Sequence, residues 1–313
     1  MRVAVTGAGG RLGRALVAAL EEAPFAGPFG PIAWTRASFD LDAPDSIGPI
    51  IDRDRPEVVV HAAAWTDVDG CARDPQLATA RNATATGVLA AACATRGADL
   101  IVVSTNEVFD GRRTDGRGYG PDDVTNPVNP YGASKRAGEL AAVEAYAKAA
   151  RDSGGVLGIV RTAWLFGPPG NDFPAKILAA AARARVAGEP LKLVSDETGS
   201  PTYSHDLAEG IVELIGGAAV EGFHHLVNAG AASRAEWART VLAEAARLET
   251  GTGFDVETED VPASTWPRAS TPPAWAVLEP TPLPSGEPLR SWQLAVADYV
   301  PALLRLRAAA ATS

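Results

Sequence analysis

The 313 residues carry a formal charge of −10, with 46% hydrophobic and 21% charged residues. The chain can therefore bury a sizeable core as one large domain or two small ones, and its acidity gives no reason to expect nucleic acid or a membrane as partner. An anionic small ligand stays open, because backbone amides and a few local arginines bind one.

The first predicted element is the apolar run RVAVTG, followed by TGAGGRLG and a helical pattern at Leu12, Ala15, Leu16 and Leu20. Gly7, Gly10 and Gly13 stand between strand and helix. A strict GxGxxG fails, because Leu12 occupies its third glycine position, but GxxGxxG fits. Glycines there permit positive φ and bring backbone N–H groups, Arg11 and Leu12 among them, to a pyrophosphate at the helix N-terminus. The alternative is a ligand-free strand–helix turn. IAWT is the second strand, ending in WTRAS. NAD sites tend to carry an acid about 20 residues on, and NADP sites an arginine. Arg36 precedes any acid, which favours NADPH with NADH as the alternative, and Asp40 and Leu41 lie near enough to contact the adenine.

A helix is expected over 44–53, then the strand PEVVVHAAA, a helix over 76–96, the strand DLIVVST and a helix over 132–152. A fifth strand lies in GVLGIVRTAWLFG. Unalternating Val and Ile runs mark strands buried on both faces, and their alternation with helices implies a doubly wound parallel α/β sheet. Beyond residue 165 the pattern loosens. Helices are expected at about 173–187, 205–215, 233–249 and 289–307, and short strands near 191–194 and 223–228. YSHDLA reads as a helix start with Ser204 as cap. The proline-rich stretch from Pro262 to Pro288 is expected to wind over the surface.

Two thiols, Cys71 and Cys93, suggest packing residues in a reducing compartment and no disulfide framework. Neither a signal peptide nor an apolar run of roughly 18 residues is seen. His61 reads as a hydrogen-bonded core histidine. His224 and His225 point to opposite faces of a strand and would not share a metal, and no cluster has zinc-ligand spacing.

YGASK places Tyr131 and Lys135 on one helical face, one turn apart. A neighbouring ammonium is expected to lower the phenol pKa, normally about 10, so that Tyr131 donates a proton to a carbonyl oxygen as hydride reaches carbon. Thr105, in VSTNEVFDG, ends a strand at the sheet edge where such folds bind ligands, and it offers a second hydrogen bond to that oxygen.

Loop, strand-end hydroxyl and YxxxK together resemble the extended branch of the short-chain dehydrogenase/reductase superfamily, and most closely the dTDP-4-dehydrorhamnose reductase family. The resemblance covers most of the chain, through RPEVVVHAAAWTDVDGCARDP, RNATATGVLAAAC, NPVNPYGASKRAGE, IVRTAWLFGPPGNDF, DETGSPTYSHDLAEGI and PRASTPPAWAVLE. It implies a Rossmann-like doubly wound sheet with a smaller C-terminal substrate-binding domain. The dinucleotide-binding part would be 1–165 with about 204–228, and the substrate-binding part 166–203 and 229–313. It implies reduction of the 4-keto group of a nucleotide-linked deoxysugar by NAD(P)H in the cytoplasm, with a homodimer left open. By motif, Thr105, Tyr131 and Lys135 are the catalytic set, Ala62, Ala63 and Ala64 line the cofactor groove, and Tyr131 and Lys135 also contact the cofactor, Lys135 through the nicotinamide ribose. Thr66, Asn106, Glu107, Trp164, Asn171, Phe173 and the turn Gly199–Thr202 fall to the sugar side.

The chain departs from the pattern of that family in three places. STDYVF is common there, whereas Asn106 and Glu107 stand here. Glu197 replaces a glutamine, and Ala72 replaces an acid that some members use in metal contacts, so no metal is expected. STNEVF also resembles STDEVYG of the nucleotide-sugar dehydratases, in which an Asp–Glu pair moves protons. Asn106 does not titrate, which leaves Glu107 as an acceptor for a sugar hydroxyl or a lone base. The alternatives are therefore an epimerase or dehydratase of the same branch using Glu107, and a non-catalytic NADP-binding regulatory subunit.

Overall fold

The computed structural model describes residues 1–27, 30–149, 154–248 and 254–311. In chain order it runs β1 (Val3–Thr6), α1 (Arg11–Glu21), β2 (Ile32–Trp34), a 3-10 turn at Pro44–Ser46 leading into α2 (Ile47–Asp54), β3 (Val58–His61), α3 (Val68–Arg73), α4 (Pro75–Thr79), a π-helical turn at Ala80–Thr84 and α5 (Ala85–Thr95). There follow β4 (Asp99–Thr105), α6 (Pro130–Lys148), β5 (Leu157–Thr162), β6 (Leu165–Phe166), α7 (Phe173–Ala187), β7 (Leu191–Val194), β8 (Thr198–Gly199), β9 (Thr202–Tyr203) and α8 (Ser204–Gly216). The last elements are β10 (Gly222–His225), β11 (Ala232–Ser233), α9 (Arg234–Leu248), β12 (Thr258–Val261), β13 (Trp275–Ala276) and α10 (Trp292–Ala311). Among the described residues no helix is long and apolar enough to cross a membrane.

Six strands form one parallel sheet in the order β10-β5-β4-β3-β1-β2. Its unalternating apolar runs are divided between two faces by the period of the strand. Val3, Val5, Val58, Val60, Ile101 and Val160 pack against α1 and α8. Ala4, Val59, Leu100, Val102 and Ile159 pack against α2 and α5. A third apolar cluster, with Phe166, Leu178, Trp237, Val241, Tyr299 and Leu303, joins α7, α9 and α10. The chain passes from β1 outward to β2 and then returns to the other side of β1 for β3. That reversal opens a crevice at the C-terminal ends of β1 and β3, the place where open α/β sheets bind ligands.

Several expectations need correction. The helix expected over 76–96 is broken into α4, the π turn and α5. The strand expected at 223–228 is Gly222–His225, and residues 226–228 leave the sheet. The ends of the helices expected at 132–152 and 233–249 reach residues outside the described ones. Ser204 does not cap α8: the cap position is Tyr203, and the buried Ser204 hydroxyl has no partner. Nor does the proline-rich stretch simply wind over the surface. Its residues Ala276, Val277 and Leu278 are buried, β13 pairs with β8, and Ser270 N donates to Asp69 Oδ1 at 2.9 Å. This segment supplies backbone hydrogen bonds that the short β8 could not find locally, which is why it lies inside the molecule.

Candidate active site

The reversal point opens into a cavity of about 960 Å³. At one side lies the glycine loop, and Gly7, Gly10, Arg11, Leu12 and Gly13 all line it. Gly7 has φ +64° and its Cα faces the backbone of Ala62 and Ala63, so a side chain there is both strained and blocked. A Cβ on Gly13 would collide with the Gly7 carbonyl oxygen. Helix α1 starts from Gly10 with no side chain capping its first amides. An uncapped helix start beside an open cavity suits the pyrophosphate of a dinucleotide. Ala62, Ala63 and Ala64 form the facing wall. Arg11 reaches away from this wall: its Nε donates to the Gly167 carbonyl at 3.1 Å and a terminal nitrogen donates to Asn171 Oδ1 at 2.5 Å.

The far corner of the same cavity is lined by Arg36, Asp40, Leu41 and Asp42, just beyond β2. Arg36 is largely exposed and meets Asp42 at 3.5 Å. Arg81, from the π turn, holds Asp42 with two hydrogen bonds of 2.6 and 2.7 Å and lies over the Trp65 ring at 5.2 Å. The Arg81 guanidinium lowers the Asp42 pKa below the usual carboxylate range. Sequence reading missed Arg81, since an arginine in a helical pattern ordinarily reads as a solvated charge.

Thr105, Tyr131 and Lys135 come together on the cavity floor. β4 delivers Thr105 at its last residue. Helix α6 starts at Pro130, capped by the Asn129 side chain, which accepts from Gly132 N at 2.8 Å, so Tyr131 and Lys135 lie on its first turns. Tyr131 and Thr105 share a side-chain hydrogen bond that favours the phenolate, but burial first and then the Glu107 carboxylate push the phenol well above its ordinary value. The expected acidification by lysine is therefore not seen. Lys135 donates instead to the Val103 carbonyl at 2.8 Å, and burial lowers its own pKa from 10.5 to about 8, the Glu139 carboxylate opposing. His61 lies behind them as a core residue. Thr6 Oγ1 is 2.8 Å from its Nδ1 and Thr86 Oγ1 is 3.1 Å from its Nε2, and burial, then Lys135, hold its pKa down at about 3.

Below the floor runs a buried ion pair. Arg161 and Glu139 are 2% and 0% exposed and meet through two hydrogen bonds of 3.0 and 2.9 Å. Ser104 Oγ donates to the same carboxylate at 2.6 Å, which ties β4 and β5 to α6 directly beneath Thr105 and Lys135.

The remaining end is walled by Thr66, Asn106, Glu107, Trp164 and Arg234. Burial raises the Glu107 pKa, while the Asn129 amide donates to its Oε2 at 2.6 Å and opposes the shift. Arg234 was missed in the sequence, where it reads as a helix-start charge. Its guanidinium carbon lies 3.5 Å from the centroid of the Trp164 ring, and it pairs with Glu197 at 3.7 Å, while Arg268 pairs with the other Glu197 oxygen. Burial lowers the Arg234 pKa from 12.5 to about 10, with Glu197 opposing. Trp164 itself has φ +42°, stacks on Trp237 and is backed by Gly199, where a Cβ would meet indole carbons at 2.5 Å.

Of the residues expected at the sugar end, Thr202, Phe173 and Asn171 do not line the cavity, and Asn106 lines it with its amide already bonded. Asn106 borders the cavity, but its amide is committed, donating to the Ala276 carbonyl at 2.9 Å and accepting from Thr105 Oγ1 at 3.2 Å. Thr202 is fully buried away from the cavity and donates to the Ser200 carbonyl. Phe173 stacks on Trp237 behind Trp164, and Asn171 is occupied by Arg11. Among the described residues no group of three or more His, Cys, Asp and Glu side chains could hold a metal ion.

Residues 1–305 match the family described as RmlD substrate binding domain. A dTDP-4-dehydrorhamnose reductase of Streptomyces griseus is 35% identical over 309 residues, which cover 96% of this chain and 93% of that one. The solved structure of a dTDP-4-dehydrorhamnose reductase from Clostridium acetobutylicum is similar with a TM-score of 0.83 at 28% identity, covering 97% of this chain and 100% of that one. The same enzyme of Bacillus anthracis, solved in complex with NADP, gives a TM-score of 0.79 at 28% identity, covering 95% and 98%.

Proposed function

This chain belongs to the RmlD substrate binding domain family, and from that premise we propose that it catalyses reduction of the 4-keto group of a nucleotide-linked deoxysugar, with NADPH as cofactor and NADH as the alternative. The observation that carries the reading is the convergence of Thr105, Tyr131 and Lys135 on one cavity whose other wall is an uncapped, glycine-built helix start. When bound against that wall, the dinucleotide supplies a hydride. Gly7, Gly10, Gly13 and Ala62–Ala64 would hold it, with Arg36, Asp40 and Leu41 at its adenosine end.

Tyr131 is the proton donor. Its raised pKa keeps the hydroxyl protonated through neutral pH, the form that reduction requires. Thr105, by turning its single hydroxyl proton from Asn106 Oδ1 to the substrate, gives the ketone oxygen a second hydrogen bond and so stabilises the charge that develops there. Lys135 fixes the floor through the Val103 carbonyl. Glu107 accepts from a sugar hydroxyl, and Trp164 with Arg234 forms the end wall. The dinucleotide-binding part is 1–165 with about 204–228, and 166–203 with 229–313 forms the substrate part. Cys71 and Cys93 are buried free thiols, which suits a reducing compartment, and we assign the enzyme to the cytoplasm.

The test is NADPH oxidation against a panel of nucleotide 4-keto sugars. Tyr131→Phe is expected to bind cofactor normally and lose at least about 10²-fold in rate. An active Tyr131→Phe variant would refute the assignment of the donor. One observation favours a second reading: Glu107 is a carboxyl of raised pKa beside Tyr131, as a base in an epimerase or dehydratase would be. That reading requires conversion of substrate with no net loss of NADPH absorbance.

A further inference from the structure

The corner beyond β2 contains more acid than an NADPH site should tolerate. A carboxylate after the second strand ordinarily holds the ribose 2′-hydroxyl and repels a 2′-phosphate. Asp42 lines the cavity here, its backbone N–H bonded to Asp40 Oδ1 at 3.1 Å, so two carboxylates lie close to Arg36. The counterweight comes from a distant part of the chain. Residues Ala80–Thr84 form a single π-helical turn, a device found often at functional sites. It turns consecutive side chains to different tasks. Asn82 goes inward, bonding Trp65 N, the Trp65 carbonyl and Ser134 Oγ. Arg81 goes toward the cavity, where it grips both oxygens of Asp42 and lies over the Trp65 ring.

The two arginines on Asp42 are not equivalent. Arg81 is 22% exposed and bidentate, while Arg36 is 78% exposed and holds one oxygen at 3.5 Å. A bidentate, ring-supported pair is durable, and a single exposed contact is worth little. An incoming phosphate therefore takes Arg36 from Asp42 and leaves the Arg81 pair in place.

We propose that Arg81 is a positioning residue for cofactor choice: by holding and neutralising Asp42 it lets Arg36 receive a 2′-phosphate in a corner that would otherwise prefer an unphosphorylated ribose. The proposal rests on the dinucleotide reading of the cavity and extends it to a residue that does not itself contact the phosphate.

The experiment measures binding of 2′,5′-ADP and 5′-AMP by calorimetry, so that no turnover is involved. Wild type should prefer the 2′-phosphorylated nucleotide. In Arg81→Met that preference should fall about tenfold, the scale of one uncompensated charge a few ångströms from the phosphate. Arg81→Lys should keep most of it, and the double variant Arg81→Met/Asp42→Asn should regain it, because the repelling charge is gone. Equal weakening of both nucleotides in Arg81→Met, or a double variant that does not recover, would show a merely structural arginine and overturn the proposal. A wild-type chain that binds neither nucleotide would overturn the dinucleotide reading and the proposal with it. Wild type binding both nucleotides equally would overturn the proposal alone.

Discussion

Lys135 offers a sharp test of how the floor of the cavity is built. It is 4% exposed, and its ammonium rests on one carbonyl, that of Val103, at 2.8 Å. Burial lowers its pKa from 10.5 to about 8. Below pH 8 the folded and unfolded chains both hold the proton, and folding bears the cost of burying the charge. As pH rises from 8 toward 10.5 the folded chain releases the proton while the unfolded chain keeps it, so unfolding takes up a proton and stability rises. At about 1.4 kcal/mol for each pH unit crossed, the whole window is worth about 3 kcal/mol, of which about 1 kcal/mol falls between pH 8 and pH 9. Lys135→Met removes this rise. At pH 7 the variant is relieved of the buried charge and loses a charge-assisted hydrogen bond of about 1.5–3 kcal/mol, so its net stability changes little. The slope is therefore the measurement. Urea denaturation of both proteins at pH 7, 8 and 9 should give a wild-type curve that gains on the variant by about 1 kcal/mol over the last step. Buried cysteines and tyrosines, whose pKa values are raised, act in the opposite direction at high pH in both proteins and cancel in the difference. Parallel pH dependences would show that Lys135 is not a desolvated cation and would remove the physical basis for the floor described above.

Gly13→Ala should abolish tight NADPH binding and cost about 1–3 kcal/mol of stability, since the new methyl meets backbone rather than a movable side chain; a cofactor titration and a urea curve check the two parts separately. Gly199→Ala should drive the Trp164 indole into the cavity, raising KM for the sugar while leaving the NADPH Kd unchanged; steady-state kinetics with a direct cofactor titration will tell, and a shifted cofactor Kd would count against it. Arg161→Met should destabilise the fold by about 1–3 kcal/mol, less than an unpaired buried charge would cost, because Glu139 keeps Arg136 at 2.9 Å and the Ser104 hydroxyl at 2.6 Å, and Arg161→Met/Arg136→Met, which removes both cations, should cost clearly more in the same denaturation assay.

The four central strands of the sheet were legible because they are apolar runs buried on both faces with no alternation to misread, whereas the edge strands β2 and β10 are only partly buried. The glycine loop, Thr105, Tyr131 and Lys135 were legible because strand ends and helix starts fix them locally. What escaped was contributed by distant segments. Arg81 and Arg234 look like ordinary helix charges until Asp42 and Glu197, each more than thirty residues away, are brought against them. The two-residue strands β8, β11 and β13 have no pattern of their own and exist only because they pair with one another. Helix α3 is short, carries Gly70 within its six residues and starts from the Asp67 cap, which adds nothing to periodicity. Thr202 lies off the cavity and Asn106 lines it with its amide already bonded, for a related reason: a polar side chain at a strand end serves the backbone as readily as a substrate, and only the partner decides.

The segment from Pro262 to Pro288 has a consequence for when this protein becomes competent. Every group assigned to proton transfer lies before residue 136, yet the Ala276 carbonyl fixes Asn106 beside Thr105, the Thr271 carbonyl receives the Asn129 amide that also holds Glu107, and Arg268 closes on Glu197. A ribosome-bound chain with its sheet already formed would carry every residue that lines the cavity, Gly7 through Arg234, but would lack the bonds that hold Asn106, Asn129 and Glu197. A truncation near residue 260 would remove those bonds and, with α10, one face of the third apolar cluster, so the late-made part of the polypeptide holds in position a pocket whose lining is entirely early-made.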